Sequence, residues 1–254
     1  MEKNVMRNLQ QAKTLYDEFN DLDDILKDDI EYKTIMMNYI YGDIYQHGNL
    51  SQQLRELILI VVNTTNHTLT VLSRHVKAAI KMNVPPIQIK EVIYQCTPYI
   101  GFGKVEEALE VVNKVMKEFH IPLPLESQHT VNEETRFQAG FTIQCTAFGK
   151  EHIQSGHAMA PEELKHIQNY LSEHCFGDFY TRNGLDLKIR ELMTFVMLAT
   201  LGGCENQLRG HVGANITVGN SRELLIETIT QCQPYIGFPR TLNALNIINE
   251  VTKK

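Results

Sequence analysis

Apolar residues recur along this chain at three- and four-residue intervals, in runs separated by glycine and proline. After Arg190 the positions Leu192, Phe195, Val196, Leu198 and Ala199 keep that spacing, which predicts one buried face of a helix. Gly202-Gly203 interrupts the pattern. A second helix is predicted over 204–218, stopped by Gly219-Asn220. Ser221 has the hydroxyl expected of an N-cap for a third helix over 222–232, whose buried stripe is Leu224, Leu225, Thr228 and Ile229. Pro234 and Gly237 predict a turn, and Leu242, Leu245, Ile248 and Val251 mark a last helix over 241–252. No stretch alternates apolar and polar positions between hairpin signals, so the predicted fold is all-α.

The same pattern occurs twice. Gln95-Cys96-Thr97-Pro98-Tyr99-Ile100-Gly101-Phe102 returns as Gln231-Cys232-Gln233-Pro234-Tyr235-Ile236-Gly237-Phe238, seven of eight identical at an offset of 136. Leu72-x-x-His75 matches Leu208-x-x-His211 at that offset. Arg55-Glu56-Leu57 matches Arg190-Glu191-Leu192, and Gly42-Asp43 matches Gly177-Asp178, both at 135. An ordered series with a single one-residue slip is the mark of a duplication. Two homologous units are therefore expected, over 1–120 and 157–254, with 121–156 as linker and connecting helix. Pro122 and Pro124 break any helix in the linker, residues 133–155 are expected to form the connecting helix, and Pro161 restarts the second unit. Pro85-Pro86 opens the third helix of the first unit.

Composition narrows the function classes. Of 254 residues 43% are apolar and 21% charged, which is ordinary for a globular chain. The net charge of −6 is local, because residues 17–31 hold eight acidic side chains and one Lys, a sum of −7. The other 239 residues then sum to +1, and no basic groove for nucleic acid is expected. The longest apolar run, 57–62, is six residues, against the ~20 that cross a bilayer. With a polar start and five scattered cysteines, a soluble cytoplasmic protein with reduced thiols and no membrane partner is expected.

The units differ where chemistry could sit. Opposite Gly202-Gly203, Cys204 and Glu205 the first unit has Asn66-His67, Thr68 and Leu69, while both keep the Glu and the His. Chemistry is therefore expected in the second unit. A Cys204 that opens a helix would face unpaired N–H groups, which favour the thiolate and lower its pKa from about 8.5. His211, seven residues on, would lie about 20° round the same helix and roughly 10 Å along it. Gln207 would share that face, and Glu191 on the preceding helix could orient the imidazole. A cleft holding substrate or water between thiol and imidazole is the expectation. Plainer roles stay open: Cys204 as a small buried residue, the two histidines as partners within a helix interface, Arg-Glu-Leu as a structural ion pair. Cys96 and Cys232 are expected in the core. His152 and His157 are five apart, off the helical i,i+4 spacing, and no Cys-x-x-Cys or Gly-rich phosphate loop occurs, so neither metal nor cofactor is expected.

The segments Gly177-Asp178-Phe179-Tyr180-x-Arg182-x-Gly184-Leu185-Asp186, Arg190-Glu191-Leu192, Leu201-Gly202-Gly203-Cys204-Glu205-x-Gln207-Leu208-x-x-His211 and Pro234-Tyr235-x-Gly237-Phe238-Pro239 resemble the carboxymuconolactone decarboxylase family. That family shares its fold with the alkylhydroperoxidase D proteins. The resemblance covers 176–250 and, more weakly, 41–116. It implies a duplicated all-α alkylhydroperoxidase D-like unit and a homo-oligomer, a trimer or hexamer, with small-molecule sites at subunit or repeat interfaces. The decarboxylase branch works without a cofactor on 4-carboxymuconolactone. The peroxidase branch uses a Cys-x-x-Cys, a Glu upstream, and a His four residues after the second Cys. Cys204, His211 and Glu191 match parts of that set, but Gln207 replaces the second Cys. The expectation is acid–base decarboxylation of a small carboxylated lactone or related acid, with Cys204, His211 and Glu191 catalytic and Gln207 and Glu205 toward the substrate. A thiol peroxidase using Cys204 is the alternative, and a non-catalytic oligomeric binding protein the third.

Overall fold

The structure, a computed structural model, describes residues 8–19 and 26–253, and of 17–19 the backbone alone. Much of the acidic run over 17–31, and with it the expectation that this run is one solvated segment, lies outside the described residues. Among the described residues every regular element is helical. The first unit has α1 (Leu9–Phe19), α2 (Ile30–Met37), a π-helical stretch Asn38–Ile44, α3 (Gln52–Asn66), α4 (Leu69–Lys81), α5 (Pro86–Tyr94), α6 (Thr97–Ile100) and α7 (Phe102–Glu118). The second has α8 (Arg136–Phe148), α9 (Lys150–Met159), α10 (Lys165–Tyr170), a π-helical stretch Leu171–Tyr180, α11 (Leu187–Leu201), α12 (Glu205–Thr217) and α13 (Arg222–Thr252).

The duplication is now geometric. α11 repeats α3 at an offset of 135, and α12 repeats α4 at 136. The one-residue slip falls in the turn between them, His67-Thr68 in one unit and Gly202-Gly203-Cys204 in the other. Side chains cap the helices where the chain needs it: Ser51 accepts from the Leu54 amide, Asp186 from Ile189 and Ser221 from Leu224. The predicted turn at Gly237 is a bend within α13, at φ 77°, and Gly101 makes the equivalent break at φ 85°. Both values lie where a side chain would be strained.

α3 and α11 form the centre. Arg55 to Thr65 and Arg190 to Thr200 are buried without interruption, so these helices are enclosed on every side. The predicted one-sided stripe on α11 understated this, since Met193 and Met197 between the stripe positions are buried too. α3 packs on α11 and α13, and one hydrophobic core runs through both units.

Polar contacts join the units as well. Arg190, 1% exposed, pairs with Glu91 at 3.0 Å and donates to Gln95 Oε1 at 2.7 Å. Gln95 in turn donates to the Arg190 carbonyl at 2.9 Å. Arg182 adds a second pair to Glu91 at 2.8 Å.

The expected connecting helix is two helices broken at Gly149, where φ is 90°. Nor is α8 a mere connector. It lies along the π-helical stretch Leu171–Tyr180 so closely that a Cβ on Gly140 would sit 2.0 Å from the Ser172 carbonyl. Arg136 pins its start to Asp178 at 2.9 Å. α1 lies against the first unit's π-helical stretch in the same way.

Candidate active site

Glu191 is carried on the buried α11 and His211 on α12, and the packing of these helices brings them together. His211 Nδ1 lies 2.8 Å from Glu191 Oε2, with the carboxylate wholly buried and the imidazole 11% exposed. An ionised carboxylate can only accept, so Nδ1 carries the proton and Nε2 is left for the other edge of the ring. Glu191 Oε1 has no partner among the described residues. Asn215 donates to the backbone carbonyls of Glu191 and His211, tying α11 to α12 beside the pair.

His211 lines a cavity of about 510 Å3 that both units build. Tyr99 comes from the first unit, Phe148 from α8, and Cys175, Phe176 and Leu198 from the second unit. Phe148 and Tyr99 meet the imidazole edge to face, with centroids at 5.0 and 6.0 Å. Tyr99 also contacts the Tyr180 hydroxyl at 3.1 Å, and Tyr180 contacts Thr194 at 2.7 Å. Elsewhere in the wall, His157 lies 3.0 Å from the Ser172 hydroxyl, which donates to Gln144 at 2.7 Å. Cys175 is buried, and that burial pushes its thiol up to about 12. It is a wall residue with its proton in place.

The sequence-predicted residues divide. Gln207 lines the same cavity as His211, as their spacing on one helix requires. Cys204 does not. It lines a crevice of about 10 Å3 with Gly202, Glu205 and Arg240. The reason is local: the helix begins at Glu205, and Cys204 before it has φ −130° and ψ 43°, so helical periodicity does not apply to it. Its thiol donates to the Leu198 carbonyl at 3.3 Å rather than facing free amides. Burial, helped by the Glu205 charge, raises its pKa. The expectation of a lowered thiol pKa is corrected: lost hydration, with the Glu205 carboxylate beside it, disfavours the thiolate. Glu205 itself is exposed and borders the crevice. Cys96 and Cys232 are fully buried core residues.

Arg-Glu-Leu serves two purposes. Its Arg190 holds the units together, while its Glu191 orients the histidine. Sequence reasoning missed Tyr99, Phe148 and His157. A signal for Tyr99 existed in the repeated octapeptide that contains it. The first unit repeats the pair itself, with His75 Nδ1 2.8 Å from Glu56 Oε2.

No helix among the described residues is long and apolar enough to cross a membrane. The profile of the carboxymuconolactone decarboxylase family matches residues 31–114 and again 165–250. A 4-carboxymuconolactone decarboxylase of Acinetobacter baylyi is 29% identical over 123 residues, which is 91% of that protein and 48% of this chain. An uncharacterized 15.0 kDa protein from the nqo9-nqo10 intergenic region of Paracoccus denitrificans is 35% identical over 80 residues, 60% of its length and 31% of this one. Among solved structures, a candidate gamma-carboxymuconolactone decarboxylase subunit from Burkholderia xenovorans superposes with a TM-score of 0.56. It is 15% identical and spans 94% of this chain and 95% of its own, a likeness of fold. With two stretches matched in tandem, on a repeated helical unit, the chain belongs to the carboxymuconolactone decarboxylase family.

Proposed function

We propose that this protein is a cofactor-free carboxy-lyase acting on a small carboxylated lactone or related acid, with His211 and Glu191 as its acid–base pair. The observation that carries the reading is the buried Glu191–His211 pair at the wall of a cavity of about 510 Å3, large enough for a small organic acid. Loss of CO2 leaves the C–C bond electrons on the substrate, where a neighbouring carbonyl takes them as an enolate. A proton must then reach carbon. His211 in its protonated form delivers it from Nε2, and Glu191 balances the charge while holding the ring through Nδ1. Water returns the proton to His211, so the sum is carboxylate plus one proton giving CO2 and the product with hydrogen on carbon in place of the carboxylate. Gln207 stands beside His211 as a polar contact for the substrate. Phe148, Phe176 and Tyr99 give the cavity an apolar wall beside the imidazole.

A single-Cys peroxidase finds less support, because the Cys204 thiol is hydrogen-bonded, raised in pKa and outside this cavity. Self-association belongs to the same reading. Met159, Leu164, Ile167 and Tyr170 expose apolar side chains on and beside α10, and the solved neighbour is named as a subunit.

The test is CO2 release from 4-carboxymuconolactone and related carboxylated lactones. The wild type is expected to turn over at least one of them, and Glu191→Gln to lower kcat with an altered pH profile. No CO2 from any such lactone, or an unchanged profile in Glu191→Gln, would reject the reading.

A further inference from the structure

The first unit has a cavity of its own, of about 230 Å3, in the place that the duplication assigns to it. His75 lines it as His211 lines the other, each paired with its glutamate at 2.8 Å, and Tyr235 meets His75 edge to face at 5.5 Å, as Tyr99 meets His211. The two cavities differ in charge. Where the second has Gly210, the first has Arg74. Arg74 makes no hydrogen bond or ion pair among the described residues, and its Nε is buried without a partner.

A second guanidinium faces the same space. Arg55 is 4% exposed, stacks over Tyr45 at 3.7 Å and donates to the Tyr45 carbonyl at 2.8 Å, but its Nε too has no partner. Its counterpart Arg190 is neutralised by Glu91 at 3.0 Å. Glu227, which repeats Glu91, accepts from the Asn49 amide at 3.0 Å, and its charge acts on Arg55 from beyond ion-pair distance. Among the described residues Glu56 is the one carboxylate in the lining, and its Oε2 is committed to His75. Two cations with open donors and a histidine thus share, with Glu56 and Gln231, a cavity whose remaining walls are apolar or aromatic. Buried donors left unsatisfied are costly, and an anion relieves that cost.

We propose that the cavity bounded by Arg74, His75 and Tyr235 is a second ligand site, which takes a small organic carboxylate with an apolar body. Arg74 and Arg55 hold the carboxylate, and Ile40, Leu59 and Val71 receive the body. The volume, below the roughly 300–1,000 Å3 of drug-sized sites, limits the ligand to a small acid. The inference does not depend on lyase chemistry in the second unit.

Calorimetric titration with benzoate tests it, using benzyl alcohol and inorganic phosphate as the neutral and inorganic probes. Saturable benzoate binding is expected in the wild type and in His211→Gln, with none for benzyl alcohol. Arg74→Gln is expected to weaken benzoate by about tenfold or more, since a charge-assisted pair is lost. Arg74→Lys keeps the charge and retains part of the affinity. Both substitutions remove a side chain that makes no hydrogen bond among the described residues, and unchanged melting temperatures check that they fold. No saturable binding to wild type would overturn the site, and so would equal binding by Arg74→Gln or loss of binding in His211→Gln. Phosphate binding as tightly as benzoate would overturn the assignment to an organic carboxylate.

Discussion

The ring of Tyr99 meets the ring of His211 edge to face, with centroids 6.0 Å apart and planes at 75°, although the two residues belong to different units. Tyr235 and His75 reproduce the contact in reverse at 5.5 Å and 77°. Each imidazole is therefore held by a carboxylate of its own unit and walled by a tyrosine of the other. A single unit of this chain does not make a complete site, which gives the duplication a physical purpose.

Removing that wall from one side should affect one site. Tyr99→Leu is expected to lower kcat/KM for lactone decarboxylation by about tenfold, about 1.4 kcal/mol of transition-state stabilisation. Tyr235→Leu should leave turnover within about twofold, because it borders the other cavity. Steady-state kinetics on both variants decide it, and equal losses would contradict the assignment of turnover to the second unit.

The cross-unit ion pair predicts an unequal stability cost. Glu91→Ala strands Arg190, which is 1% exposed, and should lower unfolding free energy by about 3–5 kcal/mol. Glu227→Ala loses the hydrogen bond from the Asn49 amide and a longer-range attraction to Arg55, with no direct ion pair to break, and should cost about 1 kcal/mol. Urea unfolding of both variants measures the difference. Equal midpoints would mean that Glu91 does not carry the Arg190 charge.

Gly140 sets how closely α8 approaches the π-helical stretch. A methyl there would lie 2.0 Å from the Ser172 carbonyl and 2.4 Å from the Gly177 amide, both backbone atoms. Gly140→Ala should lose about 1–3 kcal/mol by overpacking. Gly103 in α7 has nothing within 4 Å of an added Cβ, so Gly103→Ala should be neutral or gain roughly 0.5–1 kcal/mol. Thermal melts of the pair test this, and a stable Gly140→Ala would show that α8 can move away.

Much of the fold could be inferred from the sequence because the signals were local or repeated. Ser221 as a cap, Gly237 as a bend, and the offsets of 135 and 136 each follow from nearby residues. The enclosure of α11 did not, since burial on all sides depends on α3, which lies 135 residues away in the chain. The π-helical stretches had no composition signal; they accompany the tight contact of α8 and α1 with them. At the site, Glu191 and His211 were found by spacing and repetition, and Gln207 by its place on the helix. Cys204 was misplaced because helical angles were carried one residue past the start of the helix, at Glu205. Phe148 was out of reach, since only the packing of α8 brings it to His211.

The state of the Cys204 thiol can be read directly. Its pKa is raised above that of an ordinary thiol by burial and the Glu205 charge. The thiol therefore stays protonated through neutral pH, and alkylation, which needs the thiolate, rises only at alkaline pH. Iodoacetamide labelling followed by peptide mass spectrometry over pH 6–11 would give the profile. An inflection below pH 8 would restore the expectation of an activated thiol.

The central claim is that His211 with Glu191, and not Cys204, performs the chemistry, and one comparison tests it most directly. CO2 release from 4-carboxymuconolactone is measured for Cys204→Ser and His211→Gln beside the wild type, in one assay. The account predicts that Cys204→Ser retains kcat within about twofold, while His211→Gln loses about 100-fold or more, the usual contribution of a general acid. Loss of turnover in Cys204→Ser with retention in His211→Gln would contradict it.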